Sequence, residues 1–598
     1  MVRPATSSFA APPLIVAARL ACRSRPEIEA LPHVVERISE FLDYSAPKYW
    51  SVAKACARRR RLDGNEELLS DGHLRLLERI AQRHPADMHR LHRATQCSAG
   101  MVNAVRSDDL VVLTWLLSSY CPTAFVSKAM EEACRLGRVH LLDWFAGNYA
   151  SNILWSPDFM DAAAANGHVL VLEWLDALPL NLGYTSRAVE SAAQNGHVEV
   201  VKWLVCKGEE PTVEAMHLAI DNGQLDMVKL LYRLGVDFDR DDNSLNHAAK
   251  SNHMRVLQWL HANTDAGCTT AAMNNAAANG SLRMVQWLHA NRIEGCTSRA
   301  MDEAARYGHL EVVQWLHENR SEGCTHRDAM DYAAGNGHLL VVQWLHANRK
   351  EGCTMDAMDA AASGGHLEVV QWLHENRNEG CTVAAMDRAA LNGHLATVQW
   401  LHAHRLEGCT LRAMDFAAGN GHLDVVKFLH EHRLEGCTTM AMDVAASHNH
   451  LEMVQWLHAN RNEGCTNYAM DDAARGDHLA MVQWLHENRS EGCTAAAMDN
   501  ARSFELVKWL HENRVEGCSG RAMDFAVWMG DFDSLLFLHQ HRREGCTYSV
   551  VNAVASRENL EMFLWLHEHY TEWLDIGAIR LEYSSSRYLN ALLDDMGL

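Results

Sequence analysis

CTSRAMDEAARYGHLEVVQWLHENR, residues 296–320, decides how this chain is read. Its first half pairs Ala300 with Ala304 and Met301 with Ala305, four apart and therefore on one face of a helix. Thr297 stands ahead of them as an N-cap, since its hydroxyl can accept a free first-turn N–H. Gly308 supplies the left-handed residue that ends helices. The second half is apolar at Leu310, Val312, Val313, Trp315 and Leu316, and polar along Glu311, Gln314 and Glu318. The spacing predicts two helices, over 298–306 and 310–320, one faced with small side chains and one with bulky ones. Such a pair stacks closely on a copy of itself but cannot bury a core alone.

Copies follow at once. The block returns from Cys324, Cys353, Cys381, Cys409, Cys437, Cys465 and Cys493, nearly always after 28 residues. More diverged copies run back through Ala272, His217, Val189 and Met160, so that about 17 units extend from Met101 to Val551. A length of 598 residues would suggest about four domains, but self-similarity replaces them with one array. The high counts of 18 Trp and 36 His are one unit's residues multiplied, and 11 Pro suit long runs of helix. A net charge of −22 argues against non-specific nucleic-acid binding. No run approaches the ~18 apolar residues of a membrane span. The expected organisation is a disordered tail over 1–30, a helical N-terminal cap over 31–97, the array over 98–572 and a C-terminal capping helix over 573–598. The unit from Cys493 to Cys518 is short and lacks the Gly-His turn, which predicts a local bend or change of superhelical phase near Asn500.

AMDEAARYGHLEVVQWL resembles the ankyrin repeat, whose pattern is TPLH-x-A-A-x-x-G-H-x-x-V-V-x-L-L, and the likeness covers roughly residues 100–570. The resemblance implies an all-α, ankyrin-type helical-repeat solenoid and a non-enzymatic protein-binding role. Departures shape the expectation. The unit is about 28 residues rather than 33, which predicts shortened inter-repeat loops reduced to a Glu-Gly-Cys-Thr turn. The family's Thr-Pro is absent and its first-helix His is replaced by Asp302 and its equivalents. Recognition is therefore expected on the concave first-helix face rather than on projecting loops.

Residues held constant between copies read mostly as scaffold. The cysteines of the Gly-Cys turns, Cys268 through Cys546, read as small buried hydrophobes, because helices stacked ~8–10 Å apart exceed the ~7 Å reach of a disulfide. Reduced thiols imply a cytoplasmic or nuclear location. Histidines of the Gly-His turns (His168, His197, His309, His338, His366) are expected to cap the inter-helix turn, and those after Trp-Leu (His261, His289, His317) to line packing between helices. The Trp ladder reads as core that bridges units. His317, Glu318, Glu322 and Cys324 lie close in sequence but match no zinc motif, and no catalytic or cofactor fingerprint is present. No metal, cofactor or catalytic residue is expected.

Two rows of the first helix differ. Asp302, Asp331, Asp359, Asp387, Asp415, Asp443, Asp471, Asp499 and Asp524 form a constant row, open to two readings. One is a structural hydrogen bond to a neighbouring turn or to an Arg such as Arg320 or Arg349; the other is direct partner contact. The next position varies in chemistry, running Glu303, Tyr332, Ala360, Arg388, Phe416, Val444, Asp472, Asn500 and Phe525. It lies about 100° round the helix from Ala300 and Ala304, with Arg299 and Arg306. A variable exposed row can carry specificity, or can drift. Candidate partner-binding residues are Arg299, Glu303, Tyr332, Arg388, Arg412, Phe416, Asp472 and Phe525. Two N-terminal segments stand apart. Met1–Arg25 carries arginines and serines without acid, like a mitochondrial presequence interrupted by prolines. LPHVVERISEFLD (Leu31–Asp43) is similar to the start of an F-box, which would bind a Skp-type adaptor and make the array a ubiquitin-ligase substrate receptor.

Overall fold

A computed structural model describes residues 52–57, 74, 77, 78, 80, 81 and 89–598, apart from 181, 237–243, 326, 551–552, 555–558, 572–573, 575 and 583–586. The tail over 1–30 and the F-box-like Leu31–Asp43 lie outside the described residues. Helices come in consecutive pairs, for example Arg299–Arg306 with Leu310–Asn319, Asp328–Gly335 with Leu339–Asn348, and Met355–Ser363 with Leu367–Asn376. No strand occurs among the described residues, so the Glu-Gly-Cys-Thr segment is a turn and not a hairpin. The expected all-α solenoid with shortened loops is the architecture found.

The small face and the bulky face build one continuous core. Ala300, Met301, Ala304 and Ala305 meet Val312, Val313 and Leu316, all at most 2% exposed. Each buried Val or Leu contributes roughly 1.5–3 kcal/mol, and alanine on the facing helix lets backbones approach closely enough to exclude water. Gly308, at φ 79°, makes the turn between the two helices. Trp315 departs from the core assignment: it is half-buried, with the preceding unit's His289 edge-on to its ring at 5.2 Å. It bridges units as expected, but from the rim.

The chain forms two compact units, Val189–Ala553 and one assembled from the described residues up to Ala188 together with Val554–Leu598. In the second of these, Arg90–Arg106 packs on both Val52–Ala57 and Leu560–His569. The Ser98 hydroxyl donates to Glu561 Oε1 at 2.6 Å, and Tyr588 Oη donates to Glu131 Oε2 at 3.1 Å. Repeat reading gives each end its own cap; the structure packs the two ends against each other. The last segment holds two helices, Ile576–Glu582 and Arg587–Asp595, where one was expected.

The short unit near Asn500 keeps its links. Its first helix shrinks to Ala495–Asp499, and Ser503 N-caps Phe504–Asn513 while donating to Asp477 of the unit before. Asp499 still accepts from Ser519 N and Oγ at 2.7 and 2.6 Å, and Arg514 still reaches His486 at 3.2 Å. The missing residues come out of the first helix and its turn, so the contacts that join neighbouring units survive.

Candidate interaction surface

Three inter-unit ladders account for most of the repeated polar residues. The Asp row forms the first. Asp331 Oδ1 accepts from Thr354 N at 2.8 Å and Oδ2 from the Thr354 hydroxyl at 2.6 Å, while that hydroxyl accepts from Asp356 N at 3.0 Å. One threonine thus caps its own helix and ties it to the previous unit. The pattern recurs from Asp161–Thr185 to Asp524–Thr547, with Ser519 as the partner of Asp499, so this row is structural and its partner is a hydroxyl residue, not an arginine. Asn274 substitutes with a neutral amide, accepting from Thr297 N at 3.0 Å and donating to Thr297 Oγ1 at 2.9 Å. The Thr297 hydroxyl takes an amide N–H from the preceding unit, and Ser298, without a side-chain capping bond, occupies the N-cap expected of Thr297.

Burial pushes the Asp302 carboxyl up to about 6, against opposing bonds from Thr325, and raises Asp331, Asp415 and Asp443 in the same direction. A folded value above the unfolded one means the stability contribution is complete below about pH 4 and is lost as pH rises through 6. Asp302→Asn, copying Asn274, should therefore improve relative to wild type between pH 4.5 and 7.5. Asp302→Ala, which strands the Thr325 donors, should cost about 1–2 kcal/mol at either pH. Urea unfolding of the three proteins checks this; a pH-independent gap between Asn variant and wild type would contradict it.

Turn histidines form the second ladder. His168, His253, His309 and His478 place Nε2 3.0–3.1 Å from the carbonyls of Arg135, Asp221, Ala278 and Ser447, so they cap the C-terminus of the preceding unit's first helix rather than their own turn. The ring fills the space above the preceding glycine: a Cβ on Gly280 would sit 2.4 Å from His309 Nδ1. Burial holds His338, His366 and His450 below the usual histidine value.

The third ladder joins Arg, Glu, His and Trp. Arg349 pairs with Glu351 and points Nη1 at His317 Nδ1, 3.3 Å away, while the His317 ring stands edge-on to Trp344 at 5.2 Å. A guanidinium cannot accept, so His317 Nδ1 is the acceptor. The expected packing role of these histidines is thus met. Cysteines of the turn are free, and burial pushes Cys353 up to about 11. Glu322 is engaged by Arg320.

What the ladders leave is the variable row. Arg299 is exposed and reaches Glu303 at 3.4 Å; Arg306 is 3.8 Å from Glu303 on its other side and stacks over the Tyr332 ring at 4.8 Å. Asp472 pairs with Arg475 at 3.1 Å, and Phe525 stacks on Trp528 at 5.6 Å, each within its own unit. The structure gathers the rest. Arg388, Arg412 and Phe416 line one groove of about 840 Å³ between the helices Val383–Leu391 and Leu411–Gly419. Tyr332 and Arg388 line a second of about 340 Å³, floored by Gly335, Ala360 and Gly364. Sequence reading missed Val383, Leu391 and Leu411, which supply apolar walls. It also missed Ile293, Leu406, Leu434 and Val515, almost fully exposed at the loop tips. Their signal was an apolar residue in the Arg-x-Glu-Gly turn, where solvent-facing chemistry favours a polar one.

No helix among the described residues is long and apolar enough to cross a membrane. A comparison with curated proteins gives no match. Among solved structures, the pentatricopeptide repeat protein PPR10 from maize is 11% identical, covering 97% of this chain and 100% of that one, with a TM-score of 0.27. The same protein in complex with an 18-nt psaJ RNA element is 11% identical over 97% and 100%, with a TM-score of 0.25. Family models of ankyrin repeats match residues 159–242 and 245–328 with three copies, and 330–374, 385–430, 442–486 and 493–539 with many copies. These matches span more than half of the sequence and coincide with the stacked helix pairs described above, so the chain belongs to the ankyrin repeat family.

Proposed function

We propose that this chain is a binding scaffold, not a catalyst, and holds a protein partner along its first-helix face. Arg299, Glu303, Tyr332, Arg388, Arg412, Phe416, Asp472 and Phe525 would make the contacts. One observation carries the reading. The polar residues that recur from unit to unit are spent on ladders within the chain, while the row beside the Asp ladder stays partly or fully exposed and changes chemistry from unit to unit. Many weak contacts spread over successive units suit a long partner segment.

Changing Tyr332, Arg388 and Phe416 together to alanine should weaken recovery of partners in a crosslinking pulldown at least tenfold, with the melting temperature nearly unchanged. A large fall in melting temperature would show the row to be packing. Undiminished recovery would remove this face from the partner site. The F-box-like Leu31–Asp43 supports a second reading, a ubiquitin-ligase substrate receptor. Deleting that segment should then abolish co-purification of a Skp-type adaptor, and an intact chain that captures no adaptor ends that reading.

A further inference from the structure

We infer that the groove between Val383–Leu391 and Leu411–Gly419 is a receptor for an acidic segment of a partner protein carrying an apolar side chain between its carboxylates; this rests on the first-helix face being the binding face. The charges inside the groove are unequal in availability. Two carboxylates line it, and both are engaged: Asp387 accepts from Thr410 N and Oγ1, each at 2.7 Å, and Glu435 is paired with Arg433. The two guanidiniums, Arg388 and Arg412, are exposed and form no ion pair among the described residues. A chain of net charge −22 therefore presents two free cations in one recess.

Apolar side chains line the same groove. Val383 and Leu411 are 38% and 43% exposed, which leaves large hydrophobic side chains facing solvent beside Phe416 and Leu391. A volume of about 840 Å³ accommodates a few peptide residues. Carboxylates accept well from arginine forks, and an apolar side chain between them would cover Leu411 and Phe416. Arg388 also borders the recess that contains Tyr332 and Arg306, so the same chemistry of cation beside aromatic recurs among the three preceding units. A nucleic-acid strand could also meet arginine and aromatic rings, but the acidic remainder of the chain repels a polyanion, whereas a short acidic segment engages only the local cations.

Fluorescence anisotropy with the full chain tests the assignment. The probe is a fluorescein-labelled peptide with four Asp or Glu flanking a Leu-Phe pair; controls replace the acids by Lys, or the Leu-Phe by Ser-Ser. A single-stranded oligouridine is run alongside. The acidic apolar peptide should bind, weaken with added salt, and lose about tenfold or more affinity in Arg388→Glu/Arg412→Glu. Phe416→Ala should lose affinity with the Leu-Phe peptide but little with the Ser-Ser control. Absence of binding, equal binding by the double-Glu variant, or oligouridine binding abolished by that variant would each overturn the proposal. If the peptide fails while the Tyr332, Arg388 and Phe416 variant still loses its cellular partners, the face stands and the groove assignment falls; if both fail, the face falls too. Both arginines are exposed and unpaired, so unchanged thermal unfolding serves as the folding control.

Discussion

Gly280→Val should lower stability by about 3 kcal/mol or more, read from the urea unfolding midpoint. Gly280 sits at φ +67°, where an L-residue costs about 1–2 kcal/mol and a β-branched one more. Its new side chain would also occupy the place of the His309 ring, breaking the contact with the Ala278 carbonyl, worth about 1 kcal/mol. Gly280→Asn should cost less, since asparagine tolerates the left-handed region and already holds it in this chain at Asn252 and Asn449, φ 59° and 64°, although its Cβ must displace the same His309 ring.

The chain itself suggests a coupled pair. Where the left-handed residue carries a side chain, the following unit's turn residue is usually not histidine: Asp108 is followed by Arg138, Asn252 by Ser281, and Asp477 by Ser503. Asn449, followed by His478, is the exception, and His478 still reaches the Ser447 carbonyl at 3.1 Å. Glycine and histidine thus share one volume across a unit boundary. Gly280→Asn combined with His309→Ser should be less destabilising than the sum of the two single changes by about 1 kcal/mol. Strict additivity would show that the ring and the glycine are independent.

Trp565→Ala should be as damaging, and its effect should appear far away in sequence. Trp565 is 1% exposed and stacks on His569 with ring centroids 4.5 Å apart, inside the helix that packs on Arg90–Arg106. Truncating a fully buried aromatic costs about 3–5 kcal/mol. Because the unit is assembled from both chain ends, amides of Arg90–Arg106 should lose hydrogen-exchange protection by orders of magnitude, while those of Met355–Ser363 in the other unit should change little. Unaltered exchange over Arg90–Arg106 would mean that the ends fold independently of each other.

Repetition made much of this molecule legible. Gly308, Ala300 and Leu316 could be placed in turn, close-packed face and core because each has equivalents at the same spacing, and period 3.6 then assigns the face. Constancy of the Asp row left a structural bond and partner contact both open, and it could not name the partner of such a bond. Threonine and arginine were both chemically able to bond a carboxylate, and only the relative phase of neighbouring helices puts Thr354 rather than Arg349 beside Asp331. Turn histidines show the same gap: position placed them at the turn, yet the carbonyl that His309 or His478 satisfies belongs to the unit before.

The candidate surface divides along the same line. By itself the sequence determined the repeating pair of helices, the register of each face and the row free to vary, because these follow from local periodicity and from comparison among copies. Tertiary structure alone decided that Arg388 and Arg412 enter one groove with Phe416, that neither is neutralised there while Asp387 and Glu435 are, and that the chain's two ends pack together. Those outcomes depend on distances between residues on different helices, set by how one unit rotates onto the next, and no spacing along a single helix encodes that rotation.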